Sequence, residues 1–384
     1  MTNQPHSATR LDSSDALRYI WLFWRITGIH PTEKYRCMYW LYSLLLNFTT
    51  TVLIISFYVV TFFISSDLIE ILTNLSVMVP LIYSSTKHFV VAYHIRGELP
   101  KAALHLEALD RRVELEPTAC ANLKRLVQRC RKIYLVALAG IAVCLALYAV
   151  VGISRHKLPF EGWLPFDWEH SLSAYILACA FQLFCLSVQC ICALCNDIYP
   201  IVYLLLLVAH LRILNARIAR IGGVCMEQRN EVAIYQQLTA CVRDHWECLK
   251  CISPAIAATI FIQFISTALA LCTAAVAFVN ADSIGEQLIK FLPYILVVLC
   301  ESAPCCWLMD EAALEMFKLT NALFSCCWYE QNLPFRRSLI IFMERSQKIE
   351  QILAGNIAPI SLLTFIKIIQ FAFSLFTLLN QFKK

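Results

Sequence analysis

Leu172 to Leu194 reads LSAYILACAFQLFCLSVQCICAL, an unbroken apolar run without a single charged residue. An α-helix rises ~1.5 Å per residue, so roughly 20 such residues cross a hydrocarbon core of about 30 Å. Outward from this stretch the pattern repeats. Met38–Ser65, Ile71–Tyr93 and Ile133–Ile153 precede it, and Pro254–Val279, Leu288–Met309 and Ile357–Leu379 follow it. A chain in lipid must satisfy its backbone hydrogen bonds internally, which makes runs of this length helices. The sequence therefore predicts an all-α polytopic membrane protein with seven transmembrane helices.

The charges between the spans predict an orientation. Lysine and arginine number 25 in the N-terminal segment and in the connections between spans two and three, four and five, and six and seven. The opposite side holds four, Arg155, Lys157, Lys383 and Lys384, while Lys87, Lys290 and Lys367 fall inside spans. The positive-inside bias then sets the N-terminus in the cytoplasm and the C-terminus outside, upside down relative to a G-protein-coupled receptor. Apolar residues make up 59% of the 384 and charged ones 15%, a membrane balance. The net charge of +5 sorts by membrane side rather than by patch, so no nucleic-acid partner is expected.

Four regions follow. Residues 1–37 form a cytoplasmic segment in which Leu17–Ile29 carries Tyr19, Trp21, Phe23 and Trp24 among Arg18 and Arg25. That mixture suits a helix in the membrane interface or one packed on the bundle's cytoplasmic face, with Ser14 as its cap. Residues 38–309 hold spans one to six and their cytoplasmic extensions, 310–356 a cytoplasmic anchor segment, and 357–384 the seventh span and an extracellular C-terminus. The long connections 94–132, 208–253 and 310–356 are rich in Leu, Ala and charge, with face-patterned stretches at Leu204–Ile221 and Val232–Cys251. They predict a helical intracellular domain. Met1–Asp15 is polar, so no cleavable leader is expected, and the first span would serve as its own insertion signal. The loop Ser154–Ser171, with Pro159, Phe160, Trp163, Pro165, Phe166 and Trp168, reads as an ordered lid or as an ordinary aromatic belt. None of the 19 cysteines falls in a predicted outer loop, so no disulfide framework is expected. The sequons at Asn47 and Asn74 lie in or at the edge of spans, where glycosylation is not expected.

No nucleophile–base set, phosphate loop or His-Glu-x-x-His occurs, so the chain does not read as an enzyme and no cofactor is expected. Cys241, His245, Cys248 and Cys251 share one side of a helix, but four ligands on one helix do not close a tetrahedron, and a packed face is the reading. Inside spans stand Glu301, Lys87, Lys290 and Lys367, with Lys87 and Lys290 near enough to ends to snorkel. No matched pair of broken helices suggests a transporter. In the seventh span, Lys367, Gln370, Ser374, Leu378 and Gln381 fall within an arc of roughly 80° at ~100° per residue. Such a stripe either lines a water path in an assembly, with Leu378 as its constriction, or hydrogen-bonds to neighbouring helices of one subunit.

The C-terminal third carries Cys326-Cys327-Trp328-Tyr329-Glu330, Arg336-Arg337-Ser338-Leu339, Met343-Glu344-Arg345-Ser346-Gln347, Leu353-Ala354-Gly355 and Ser374-Leu375-Phe376-Thr377-Leu378-Leu379. Farther upstream stand Asn196-Asp197-Ile198-Tyr199-Pro200, His210-Leu211-Arg212 and Pro165-Phe166-Asp167-Trp168. With these blocks the chain resembles insect odorant receptors over essentially its whole length. The resemblance implies a tuning subunit of an odorant-gated, non-selective cation channel, joined to a shared co-receptor in a heterotetramer, in the dendritic plasma membrane of olfactory sensory neurons. It implies a small volatile organic ligand held among spans two, three, four and six. By position, Met78, Ile82, Leu147, Tyr148, Cys179, Gln182, Tyr294 and Val298 are its wall candidates, for which plain helix packing is the competing reading. It also implies a split of the seventh helix near Gly355–Pro359 and a gate at Leu378 and Gln381. A gustatory-type channel and a G-protein-coupled chemoreceptor are the alternatives. The Cys-Trp-Tyr-Glu piece sets the first apart, and the charge sorting together with the lack of Asp-Arg-Tyr at a span end argues against the second.

Overall fold

The structure, a computed structural model, describes residues 12–30, 36–64, 68–113, 117–154, 158, 163–168, 170–221, 231–279, 284–348 and 351–382. Arg155, Lys157, Lys383 and Lys384, the four basic residues of the sparse side, lie outside them, as do the side chains of Tyr148, Cys251 and Lys290. A 3-10 turn (Ser13–Leu17) leads into α1 (Arg18–Ile26). Then come α2 (Arg36–Asn47), joined through a π turn (Phe48–Leu53) to α3 (Ile54–Ile64), and α4 (Leu68–His94). They are followed by α5 (Glu98–Val113), α6 (Pro117–Ser154), α7 (Leu172–Ala219), α8 (Glu231–Val279) and α9 (Ile284–Ser325). The chain closes with α10 (Leu333–Ser346), a hairpin of β1 (Leu353–Ala354) and β2 (Ala358–Pro359), and α11 (Leu362–Phe382).

The predicted apolar stretches fall largely on these helices, the last of them beginning in the hairpin ahead of α11. Four of them, Cys37–Ile64, Pro117–Leu147, Leu172–Ala219 and Glu231–Val276, are long and apolar enough to cross a membrane by length and composition. In the most apolar part of α8, 61% of residues are buried inside the protein, against 11% in α6. So α8 is the central helix and α6 a peripheral one. The exposed apolar residues of α2 and α6, among them Leu41, Leu44, Val136, Val143 and Leu147, suit contact with lipid.

Helices α7 and α8 run 48 and 49 residues. At ~1.5 Å per residue each is about 70 Å long, more than twice a hydrocarbon core. Their charged ends form a second body with its own core. There Leu214, Ile218 and Ile221 of α7 and its end meet Ile234, Leu238 and Cys241 of α8, Leu319 and Leu323 of α9, and Phe335, Leu339 and Phe342 of α10. Ion pairs knit the same ends. Asp244 on α8 takes Arg112 of α5 and Arg217 of α7 (2.8 Å), and Arg112 also reaches Glu247 at 3.4 Å. On α9, burial alone would raise the pKa of Glu315, but hydrogen bonds from Lys318 and Arg212 hold it below the usual carboxylate value.

The N-terminal segment docks onto this frame. Ser14 does not cap α1, whose N-cap is Leu17 with no side-chain bond; Asp12 caps the preceding 3-10 turn, its carboxylate accepting from Ser14 N at 2.8 Å. The backbone N–H and hydroxyl of Ser13 both donate to the buried Asp110 of α5, each at 2.6 Å. Trp24 donates to Asn196 on α7 at 3.2 Å, whereas Leu22 and Ile26 stay exposed on the opposite face. Helix α1 is thus packed on the bundle with an apolar face left over.

The last helix begins at Leu362, not Ile357, because the chain first makes the hairpin. Gly355 and Asn356 both take positive φ (57° and 60°), as the central residues of the turn that Ile357 N closes by donating to Ala354 O at 3.0 Å. Gly355 N donates to Ala257 O of α8 at 3.0 Å, and Asp310 of α9 accepts from Leu362 N at 3.0 Å. A Cβ on Gly355 would lie 2.7 Å from Cγ of Phe261. Left-handed backbone costs a non-glycine residue roughly 1–2 kcal/mol. Gly355→Ala is therefore expected to lower the thermal unfolding midpoint of the detergent-purified protein. Adding Phe261→Ala should relieve the clash but not the backbone cost.

Candidate functional site

Three groups of side chains meet the description of a site. The first is a polar knot inside the bundle, where α4, α7, α8 and α9 converge. Lys87 of α4 is 1% exposed, and its ammonium donates to Asp197 of α7 and to Oε1 of Gln263 of α8. From Gln263 the amide nitrogen reaches Ser302 Oγ at 3.1 Å and Glu301 Oε2 at 3.4 Å, both on α9. Tyr83, one turn before Lys87, donates to the same Glu301 oxygen at 3.3 Å. Ser302 and Thr267 share a further bond of 2.5 Å. The small cavity beside these groups, about 10 Å³, has room for no more than one water.

This knot corrects the sequence reading of Lys87, which does not snorkel. The apolar run of span four stops at Leu194, three residues short of Asp197, the partner of Lys87, whereas α7 runs on without a break. Neither Tyr83 nor Gln263 carries a charge that would mark it in the sequence. The signal available was a second in-span charge once the helix is extended, since a buried lysine requires a carboxylate within reach.

The second group holds the ligand-wall candidates. Met78 on α4 packs with Leu145 and Phe181 against a cluster of Ile54, Tyr58, Leu81, Cys185 and Leu186. Cys179 is buried under Leu158 and Leu164 of the connecting loop, and Phe181 touches both clusters. Gln182 is buried one turn along α7. The described part of that loop lies as a cover on α3 and α7. Trp163 N donates to Thr61 Oγ1 at 2.7 Å, and Trp163 meets Phe57 edge to face. Val298 is buried, and Tyr294 places a buried hydroxyl with no hydrogen-bond partner among the described residues. Ile82 and Leu147 are instead exposed, at 43% and 60%. Helix rotation gives the inward place beside Ile82 to Tyr83. The Tyr148 side chain lies outside the described residues.

The third group is the stripe on α11. Lys367, Gln370, Ser374, Leu378 and Gln381 are all exposed, while Ala372 is buried and Phe365 and Ile368 pack on the main core. At ~100° per residue the stripe is centred roughly 150° from that packed face. Ser374 turns its hydroxyl to Gln370 O of its own helix at 2.9 Å. Among the described residues the stripe makes no hydrogen bond to another helix of this subunit. Of the possible metal set, Cys241 and Cys248 are buried and the Cys251 side chain lies outside the described residues. His245 lies edge-on to the Phe342 ring, and among the described residues no group of three or more such side chains could hold an ion.

This arrangement of long helices has known counterparts. The sequence profile of the 7tm Odorant receptor family matches residues 67–373. The chain belongs to that family. Odorant receptor 2a of Drosophila melanogaster is 28% identical over 394 residues, covering 97% of this chain and 98% of that protein. Odorant receptor 42a of the same fly is 28% identical over 382 residues, covering 96% and 92%. The solved structure of the insect olfactory receptor OR5 from Machilis hrabei superposes with a TM-score of 0.70 over 95% of this chain and 97% of that one, at 17% identity. That likeness shows the fold. The same receptor in complex with eugenol superposes at 0.67. The chain is accordingly a multi-pass membrane protein of the odorant-receptor family.

The knot generates a prediction for this receptor. Removing one partner of a buried ion pair typically costs ~3–5 kcal/mol, whereas replacing both with apolar residues is often neutral. Lys87→Met or Asp197→Leu alone should lower the unfolding midpoint and surface delivery sharply, and the double variant should recover most of both. Single variants as stable as the parent would show that the pair contributes nothing.

Proposed function

We propose that this receptor is the odorant-specific subunit of an odorant-gated, non-selective cation channel that works with a shared co-receptor in a heterotetramer. Seven spans, a cytoplasmic N-terminus and residence in the dendritic membrane of olfactory sensory neurons belong to the same reading. The observation that carries it is the α11 stripe, polar along one face and turned away from its own bundle. Lipid cannot satisfy Lys367, Gln370 and Gln381, so that face requires water or another subunit. Copies arranged about an axis would place the five residues around a water path. Leu378 would narrow it between Ser374 and Gln381, and a ring of apolar side chains gates by dewetting.

Two features support assembly and ligand binding. The charged-end body exposes Trp246, Phe317, Phe324, Tyr329, Ile340 and Ile341, apolar area of the kind subunit contacts use. The mostly apolar surroundings of Met78, Cys179 and Val298, with the hydroxyl of Tyr294 and the amide of Gln182, suit a small volatile organic molecule. Burial supplies about 25 cal/mol per Å² of apolar surface, and one or two hydrogen bonds set orientation.

The test is odorant-evoked current in cells expressing this chain with and without the co-receptor while G-protein signalling is blocked. A cation current that needs both subunits and survives the block is expected, and a response abolished by the block contradicts the reading. In the responding cells, Leu378→Ala should raise the current that flows without odorant. Gln381→Lys should reduce cation current to a small fraction of the parent's. Unchanged currents in both variants, at matched surface expression, would remove α11 from the conduction path.

A further inference from the structure

A cleft of about 510 Å³ opens between α6 and α7 at the charged end of the bundle. Its walls carry Arg125 and Arg129 from α6, Arg212 from α7 and Arg220 just past its end, with Thr118 and Asn122 continuing the polar side, and among the described residues no carboxylate lines it. The spacing is helical. Thr118, Asn122, Arg125 and Arg129 recur every three or four residues on α6, so they share one face. Ala209 and Ala216 on the opposing face of α7 are small, which leaves the volume open.

All four guanidinium groups sit on exposed residues. Arg212 is tied to Glu311 and Glu315 of α9 and so forms a fixed wall. Arg125 and Arg129 form no ion pair or hydrogen bond among the described residues, although two like charges four residues apart on a helix repel. An anion between them removes that repulsion. Guanidinium matches phosphate oxygens with paired hydrogen bonds, where an ammonium would offer a point charge.

Depth along α6 sharpens the choice of anion. The apolar run begins at Ile133, so Arg129 lies about 6 Å and Arg125 about 12 Å beyond it along the helix axis. Headgroups occupy roughly 5–8 Å on each side of the hydrocarbon. A lipid's own phosphodiester reaches the level of Arg129 alone. To meet Arg125 as well, the ligand needs a further phosphate standing away from the membrane, and basic clusters next to a span bind such headgroups. We infer that the α6–α7 cleft binds a multiply phosphorylated headgroup, on the cytoplasmic side in the orientation proposed above. Nothing in this site depends on which odorant opens the channel.

The experiment uses the purified full-length chain in detergent and a fluorescent dioctanoyl phosphatidylinositol 4,5-bisphosphate. Saturable binding is expected, displaced by the unlabelled lipid and not by dioctanoyl phosphatidylcholine. The Arg125→Gln, Arg129→Gln double variant should bind at least tenfold more weakly, while Arg337→Gln, on α10, should bind as the parent does. If the double variant fails to fold, Ala216→Glu leaves the arginines in place, puts a carboxylate in the cleft, and should abolish binding by itself. Free inositol 1,4,5-trisphosphate competing as well as the lipid would uphold the phosphate site with a soluble source. Phosphatidylcholine competing equally, or folded double and Ala216→Glu variants binding like the parent, would overturn the inference.

Discussion

A lysine held away from water inside an apolar bundle sets the terms for everything around it. The ammonium of Lys87 is stable there only with a carboxylate and further acceptors in reach, and Asp197 and Gln263 supply them. Those partners come from two other helices, and Gln263 passes the chain of hydrogen bonds to Glu301 and Ser302 on a fourth. Apolar packing alone would let four membrane helices slide or rotate, because lipid is as apolar as their faces. A hydrogen-bonded knot fixes both register and rotation.

The central helix carries that constraint outward. Phe261 lies two residues before Gln263 on α8 and packs against Gly355, whose N–H is bound to Ala257 of the same helix. The hairpin seated there ends at Pro359, three residues before α11 begins. On the other side, Tyr83 links α4 to α9 through Glu301, next to Tyr294 and Val298, which are two turns and one turn away along α9. One helix therefore touches both the polar knot and the mount of the outward-striped helix. A ligand that separates α4 from α9 would act on the same hydrogen bonds that position α8.

Much of this was legible in the residues. Apolar length located the helices, and the 3.6-residue period isolated the α11 stripe and the two faces that meet at the charged end. What escaped has physical causes. The apolar run of span four stops at Leu194 while the helix does not, because Asn196 and Asp197 are stabilised by Trp24 and Lys87, contacts remote in sequence. The start of α11 moved by five residues because two successive positive-φ residues favour a tight hairpin over a helix. Wall residues were the least legible. A span with apolar residues all round does not announce which side faces inward, and it is Tyr83, not its exposed neighbour Ile82, that turns inward to Glu301.

The most direct measurement is made without cells. The purified chain, reconstituted with the co-receptor that the proposed function calls for in a planar bilayer free of G proteins and nucleotides, should open unitary cation currents when a matching odorant is added. Silence from a complex that is shown to bind the odorant in the same preparation would contradict a channel built around α11.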